Sequence, residues 1–307
     1  MNTRHAQLVL SIVRFGSITA AAKALYITQP TLSATLKQIE TQLGESIFVR
    51  GRTPMELTPA GELYVQAARR VLQIETQLEE SIALLHGKQQ GTLHLGMPIG
   101  RSCELLPQIL PDYLAAYPDI SVEVTEDTPE GLEQKLAGHE LDVAIMTGDM
   151  RRQDLTYRLI ASEEVVLLAG RRTHIAQRIS SGSTITLAEA AQERFILPSA
   201  HSQEQQVYSD LLSKGGLHTV RTTLTSDSLE TRRRTCIACQ MVTLSPFISL
   251  LCDAQSMQRV AYYHLTGEAY LSKICLAHPA DAQLPPYAEA FFNLISNRYR
   301  AMSAYRL

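Results

Sequence analysis

The chain lacks any apolar run approaching the ~20 residues that a membrane-spanning helix needs. Its most continuous apolar stretches, such as Val165–Ala169 and Ala20–Ala22, are far shorter. The N-terminus, with Arg4 and His5 ahead of polar and apolar residues at helical spacing, lacks the apolar core of a secretory signal. A cytoplasmic location and no membrane partner are therefore expected. Cysteine is scarce and odd in number: five residues, at 103, 236, 239, 252 and 275, sit in otherwise apolar segments. They read as reduced thiols rather than a disulfide framework. There is also no Gly-rich phosphate loop, no paired zinc motif and no nucleophile–base spacing around Asp142 or the histidines. No catalytic residue, metal or cofactor is expected, and an enzyme is the weaker reading.

What is present is an ordinary globular composition, 45% hydrophobic and 19% charged over 307 residues, long enough for two or three domains. The net charge of -3 divides unevenly. Residues 1–90 hold nine Lys/Arg against seven Asp/Glu, and the remainder holds 19 against 24. A mildly basic head on an acidic body fits an electrostatic footprint confined to one end.

The first sixty residues read as short helices. Leu8, Ile12 and Phe15 have helical spacing; Ser17 caps a second helix, Ile18–Leu25; Thr28 caps a third, with Pro30 in its first turn. Leu32, Leu36, Ile39 and Leu43 line the buried face of that third helix, and Gly44 ends it. Alternating apolar residues over Ile47–Leu57, around Gly51 and Pro54, predict a two-stranded wing. Thr58-Pro59 opens a long helix to about Leu85, whose stripe Leu63, Ala67, Val71, Ile74, Leu78, Ile82 needs a partner helix. The polar stretch Gly87–Gly91 reads as a hinge. Beyond it strands alternate with helices. Strands are expected at Thr92–Met97, Ile120–Glu126, Leu141–Met146, Val165–Ala169, Phe195–Leu197, Thr222–Thr225, Met241–Leu244 and near Tyr270–Ala277. Helices are expected at Ser102–Tyr117, Pro129–Ala137 and Tyr287–Met302, an alternation that implies a parallel sheet with crossover helices.

The run Gly16–Glu62, GSITAAAKALYITQPTLSATLKQIETQLGESIFVRGRTPMELTPAGE, resembles the signature of LysR-type transcriptional regulators. The residues that carry the likeness are Gly16-Ser17, Ala21-Ala22, Leu25, Gln29-Pro30, Ser33, Ile39-Glu40, Leu43-Gly44, Phe48, Arg50, Leu57-Thr58 and Ala60-Gly61. A looser likeness continues through GTLHLG (91–96), LLPQILPDYLAAYPDISVEV (105–124) and GHELDVAI (138–145). The resemblance implies an α/β protein: a winged helix-turn-helix at 1–58, a linker helix and hinge at 59–90, and an effector domain of the periplasmic-binding-protein type at 91–307. Subdomain I of that domain would combine 91–161 with 267–307, and subdomain II would span 162–266. It implies binding to an inverted-repeat operator in double-stranded DNA and activation or repression of promoters. It further implies a small-molecule effector, self-association to a dimer and tetramer, and contact with RNA polymerase.

The second helix of a helix-turn-helix lies in the major groove with its N-terminal residues near base edges. Here that edge presents Thr28, Gln29, Pro30, Thr31 and Ser33, then Thr35 and Lys37. Gln can pair bidentately with adenine and hydroxyls suit bases or phosphates. Thr28 reads equally as a cap. Arg50 and Arg52, flanking Gly51, suit phosphates or a minor groove, although Arg50 can instead pair with Glu45 or Glu62. Ser17 caps a helix whose free N–H groups favour a phosphate. The family often has a long polar side chain directly after the recognition-helix serine, where this chain has Ala34.

Ligands of open α/β sheets bind beyond the carboxyl ends of the strands. That rule selects the loop Pro98–Ser102 with Ile99, Gly100, Arg101 and Ser102, then Thr128, then Thr147-Gly148. It also selects Pro198, Ser199 and His201, with Ser226 and Phe247 after later strands. Ser102 can cap its helix or meet the effector, and Arg101 can pair with a carboxylate or be solvated. Arg232-Arg233-Arg234 point about 100° apart on a helix and read as a solvated surface. Cys236-x-x-Cys239 lies among Ile237, Ala238 and Met241, an apolar setting that raises thiol pKa, so both read as structural. The family usually has two glycines around 239 and 241, so Cys239 and Met241 depart from it. A solute-binding protein without DNA activity is the remaining alternative; the ninety N-terminal residues argue against it.

Overall fold

In the computed structural model, the residues described are 2–49, 51–52, 54–85, 90–98, 100–147, 152–200, 203–251, 254–266 and 271–303. Arg50, Ile99, Gly148, His201 and most of the expected hinge lie outside them.

The head is built by caps. Helix α1 (Thr3–Phe15) ends on Gly16 in the left-handed conformation, and α2 (Ile18–Ala24) is capped by Ser17, whose Oγ accepts from Ala20 N at 3.1 Å. Helix α3 (Gln29–Leu43) starts at Thr28 and stops at Gly44. The three helices close over Ala6, Val9, Ile12, Ala21, Leu32 and Ile47, all fully buried. The wing corrects the expectation of two strands. Among the described residues only one antiparallel bridge, Phe48 to Leu57, joins its sides, with Val49 N donating to Glu56 O at 2.9 Å. Helix α4 (Pro59–Leu85) runs out of the wing, and Gly61 is obligatory there, because a Cβ would stand 2.0 Å from Ile47 O.

The remaining chain forms the strands β1 (Gly91–Pro98), β2 (Ile120–Asp127), β3 (Val143–Thr147), β4 (Leu155–Gly170), β5 (Thr184–Ile185), β6 (Arg194–Leu197), β7 (Arg221–Thr225), β8 (Val242–Pro246), β9 (Val260–Leu265) and β10 (Leu271–Pro279). The helices are α5 (Arg101–Ala116), α6 (Pro129–Ala137), α7 (His174–Arg178), α8 (Gln203–Lys214), α9 (Leu229–Cys239), α10 (Phe247–Leu251), α11 (Ala254–Arg259) and α12 (Pro286–Ser303). The strand order β2-β1-β3-β10-β4-β8-β6-β7 is mixed rather than purely parallel. Strands β1–β2, β1–β3, β6–β7 and β6–β8 pair in parallel, whereas β10 runs antiparallel to β3 and β4, and β4 runs antiparallel to β8 and β9.

Strand β4 joins two packed bodies. Its residues 155–164 pair with β10, and from Val165 it pairs with β8 and then β9. One core gathers Leu93, Leu95, Ile109, Val143, Leu276 and Phe291; another gathers Val165, Leu167, Phe195, Val242, Leu244 and Tyr263. Val166 and Leu168 face a further cluster with Ile196, Cys236 and Val260. Burial on both faces explains why Val165–Ala169 is continuously apolar. The first half of β4, LTYRLIASEE, mixes exposed and buried positions and has no such signature. Strands β5 and β9 were likewise not anticipated.

Candidate DNA interface and effector cleft

Helix α3 displays its first turn. Gln29, Pro30 and Thr31 are exposed, Ser33 and Thr35 are half-buried, and Ala34 and Lys37 are exposed. Thr28 accepts from Thr31 N at 3.4 Å and its hydroxyl lies 2.8 Å from that of Thr31, so it caps the helix and orients its neighbour. Thr35 donates to Thr31 O at 2.9 Å. Glu40, from the same helix, accepts Ile47 N at 2.8 Å and ties the wing strand to α3. Between α3 and the wing lies a groove of about 450 Å³ lined by Gly16, Ser17, Ser33, Glu40, Phe48 and Arg52. Arg52 pairs with Glu56 at 2.6 Å, a partner the sequence reading did not consider. Both side chains are more than half or half exposed, so this pair is weak and leaves the guanidinium free to exchange partners.

One head residue escaped the sequence reading. Tyr26, in the turn between α2 and α3, is 96% exposed and has φ 55. A non-glycine residue held in the left-handed region with its ring in solvent, beside the recognition edge, points to use at a surface. Its sequence signal is an aromatic residue in the short turn that follows an alanine-rich helix.

In the sensor the selected loops lie at the carboxyl ends of β1, β2, β3 and β6. Pro98 is in register with Asp127, which places Gly100–Ser102 beside Thr128; Thr147 ends β3, which pairs with β1. Gly100 has φ 84, and a Cβ there would lie 3.9 Å from Glu230 N and 4.0 Å from Ser228 Oγ. The two bodies therefore approach closely at this point. Ser199 N donates to Asp227 Oδ1 at 2.9 Å, and Ser226 N donates to Leu197 O at 3.0 Å, so both strand ends converge on the N-terminus of α9. Thr128 caps α6, accepting Gly131 N at 3.2 Å. Pro198 is buried. Phe247 belongs to an aromatic group with Tyr262 and His264 at ring distances of 5.2 and 5.5 Å.

Three expectations are corrected. Helix α5 begins at Arg101, with Gly100 as its cap position, so Ser102 is not the cap; its hydroxyl is hydrogen-bonded to Glu126. Arg101 is neither solvated nor open to a ligand, because it is buried and clamps Glu163 through two hydrogen bonds at 2.9 and 3.1 Å. Burial opposes its charge, but the Glu163 carboxylate, helped by Tyr299 and Glu104, holds the guanidinium protonated well above its usual value. The arginine triplet is not a solvated face. Arg232 is fully buried and donates to Ser226 O and Glu204, both at 2.7 Å; Arg233 donates to Ser249 O at 3.0 Å and pairs with Glu230. Only Arg234 is exposed.

Glu163, Glu104, Glu204 and Tyr208, which partner Arg101, Ser249 and Arg232, are not picked out by sequence spacing. Glu104 accepts from Ser249 at 2.8 Å through one oxygen, and its other oxygen is buried with no hydrogen-bond partner among the described residues. Burial pushes its carboxyl up, against Arg101, the Ser249 bond and Arg233. Burial likewise raises Tyr208, beside Glu204. Cys236 donates to Met241 O at 3.0 Å, and burial pushes its thiol up to about 12, an unreactive setting. The left-handed cap of α9 falls on Gln240, φ 52, between the two positions where the family has glycine. Asp142 accepts His94 N at 2.8 Å and serves local strand bonding.

A capped three-helix head with a short wing, a long helix and a two-body α/β sensor define a helix-turn-helix regulator with an effector-binding domain. The chain belongs to the LysR family: residues 3–62 match the bacterial regulatory helix-turn-helix protein of the lysR family, and residues 86–300 match the LysR substrate binding domain. Among curated relatives it is 26% identical to the HTH-type transcriptional regulator CfxR of Cupriavidus necator, over 94% of this chain and 89% of that protein. It is 28% identical to the HTH-type transcriptional regulator YtlI of Bacillus subtilis, over 66% of this chain and 64% of that protein. Among solved structures, a full-length OxyR variant from Pseudomonas aeruginosa superposes with a TM-score of 0.74 at 22% identity, covering 96% of this chain and 98% of that one. Full-length CbnR complexed with its target DNA superposes with a TM-score of 0.66 at 22% identity, covering 97% and 99%. The protein is a LysR-type DNA-binding transcriptional regulator.

Proposed function

We propose that the α3 edge Gln29–Thr31, with Ser33, reads bases in a major groove, while Arg52, Arg50 and Lys37 meet phosphates and Tyr26 packs on the DNA backbone. The observation that carries this reading is the solvent-facing first turn of α3 beside the exposed Tyr26. Thr28 and Ser17 serve chiefly as caps, because their side chains already bond their own helices.

The active unit is a dimer through α4, on which Leu63, Ile74, Leu78 and Ile82 remain exposed, and sensor domains pair such dimers into a tetramer. A two-fold dimer matches an inverted-repeat operator. A small molecule bound among Gly100, Thr128, Thr147, Ser199 and Ser226 shifts the two sensor bodies, which changes the spacing of the heads and the DNA bend. The outcome at a promoter is activation or repression through RNA polymerase, in the cytoplasm, with no catalytic step. The domain limits fall at 58, 90, 161 and 266.

Genomic fragments captured by the full-length protein and sequenced test the reading. Enrichment of inverted repeats that is lost with Gln29→Ala is expected; enrichment without symmetry contradicts the dimeric head.

A further inference from the structure

Helix α4 carries two separate faces. At 100° per residue its exposed apolar stripe is centred about 115° from Gln66, Arg69, Arg70 and Gln73, which fall within about 100° of arc. That second, polar face docks on the chain's own sensor domain. Gln66 Nε2 donates to Ala137 O at 3.5 Å, Arg69 pairs with Glu140 at 2.8 Å, and Arg70 pairs with Asp281. His139 Nδ1–H donates to Gln73 Oε1 at 2.6 Å.

The turn that receives α4 is unusual. His139 has φ 54, and its side chain is only 7% exposed. A non-glycine residue in this region is strained and persists where surroundings enforce it. Gly138 lies so close to α4 that a Cβ would stand 3.3 Å from Arg69 Nη1. Burial keeps the imidazole below its usual pKa, aided by Arg70 against Asp281, so the ring meets Gln73 as a neutral donor.

The contact is also incomplete. A cavity of about 540 Å³, lined by Leu10, Leu72, Gln73, Thr76, His94 and Tyr287 among others, separates the two surfaces where head, linker and sensor meet. Polar, gapped contacts of this kind resemble interdomain interfaces that open and close. The same turn ends α6, whose other end is Thr128 at the cleft, about 14 Å away for nine residues. Asp127, paired with Lys135, fastens the β2 end to that helix.

We propose that the Gly138–Glu140 turn is a releasable latch that docks the sensor on its linker helix, and that α6 transmits movement at Thr128 to it. The relay part rests on Thr128 belonging to the effector cleft; the latch itself does not. Three full-length proteins are compared by small-angle scattering at equal oligomeric state: wild type, Arg69→Glu, and Arg69→Glu with Glu140→Arg. His139→Gly, which relieves the backbone and removes the ring, serves as an independent variant. A shift to a longer maximum dimension in Arg69→Glu and His139→Gly, reversed by the charge swap, is expected. Unchanged dimensions in both single variants, or a lengthening that the swap leaves in place, overturn the latch. Loss of DNA shift in every protein with the dimensional pattern intact counts against the head reading and leaves the latch standing.

Discussion

Arg101, in the first turn of α5, holds Glu163, deep in β4, through both terminal nitrogens, and neither side chain is more than 7% exposed. This pair sits beside the junction where β4 changes partner from β10 to β8. It is a fixed internal counter-ion at a place where the sequence allows a solvated side chain or a cation for a carboxylate effector.

Breaking a buried pair from one side strands the other charge, at a cost of about 3–5 kcal/mol. Arg101→Ala and Glu163→Leu should each lower the denaturation midpoint sharply, whereas Arg101→Met combined with Glu163→Leu should recover most of the loss. Denaturant melts of the three variants check this. A double variant as unstable as the singles would mean that the pair has further obligatory partners.

Glu104 should oppose folding at neutral pH. Burial raises its carboxyl above the usual range, so its charge is disfavoured in the folded protein. The sign follows: stability gains as pH falls through the folded-state value and levels off below the unfolded one. Glu104→Gln is expected to be at least as stable as wild type at pH 8, with the two Tm curves converging toward the acid range. A variant that loses more stability at pH 8 than at low pH would identify Glu104 as a needed partner of Arg101 or Arg233.

In the head, Gln29→Ala should relax specificity at one operator position by about 1–3 kcal/mol, and Arg52→Ala should weaken all duplexes alike and lower the salt slope by about 1. Tyr26→Ala should behave as Arg52→Ala does in lacking sequence preference, but with an unchanged slope. Equilibrium titrations on matched and mismatched duplexes separate the three.

Lysine at position 78 should disrupt the α4 pairing. Leu78 is 60% exposed in the single chain, so Leu78→Lys leaves the fold intact and removes only the dimer contact. Light scattering should report a smaller species; an unchanged mass would place the dimer seam elsewhere.

The head was readable because its signals are local. Ser17, Thr28, Gly16 and Gly44 each fix a helix end through bonds to residues three or four away. The second half of β4 was readable because both its faces are buried, and the first half was not, since Tyr157 and Arg158 are half-buried while Leu159 is 54% exposed. The arginine triplet shows the limit most clearly. Its three side chains do diverge, as helical geometry requires, yet two are buried, because Glu204 and Ser249 approach from 28 and 16 residues away. No spacing rule reaches such partners. Glu163 escaped for the same reason: Arg101 lies 62 residues away.

Salt-dependent DNA binding by the full-length protein tests the phosphate-gripping head most directly. Fluorescence anisotropy with the duplex upstream of its own gene, at 50 and 200 mM salt, should show saturable binding that weakens by at least tenfold at the higher salt, as counterion release from several phosphates demands. No binding at either concentration to that or any captured genomic duplex, or binding indifferent to salt, would contradict a phosphate-gripping helix-turn-helix head.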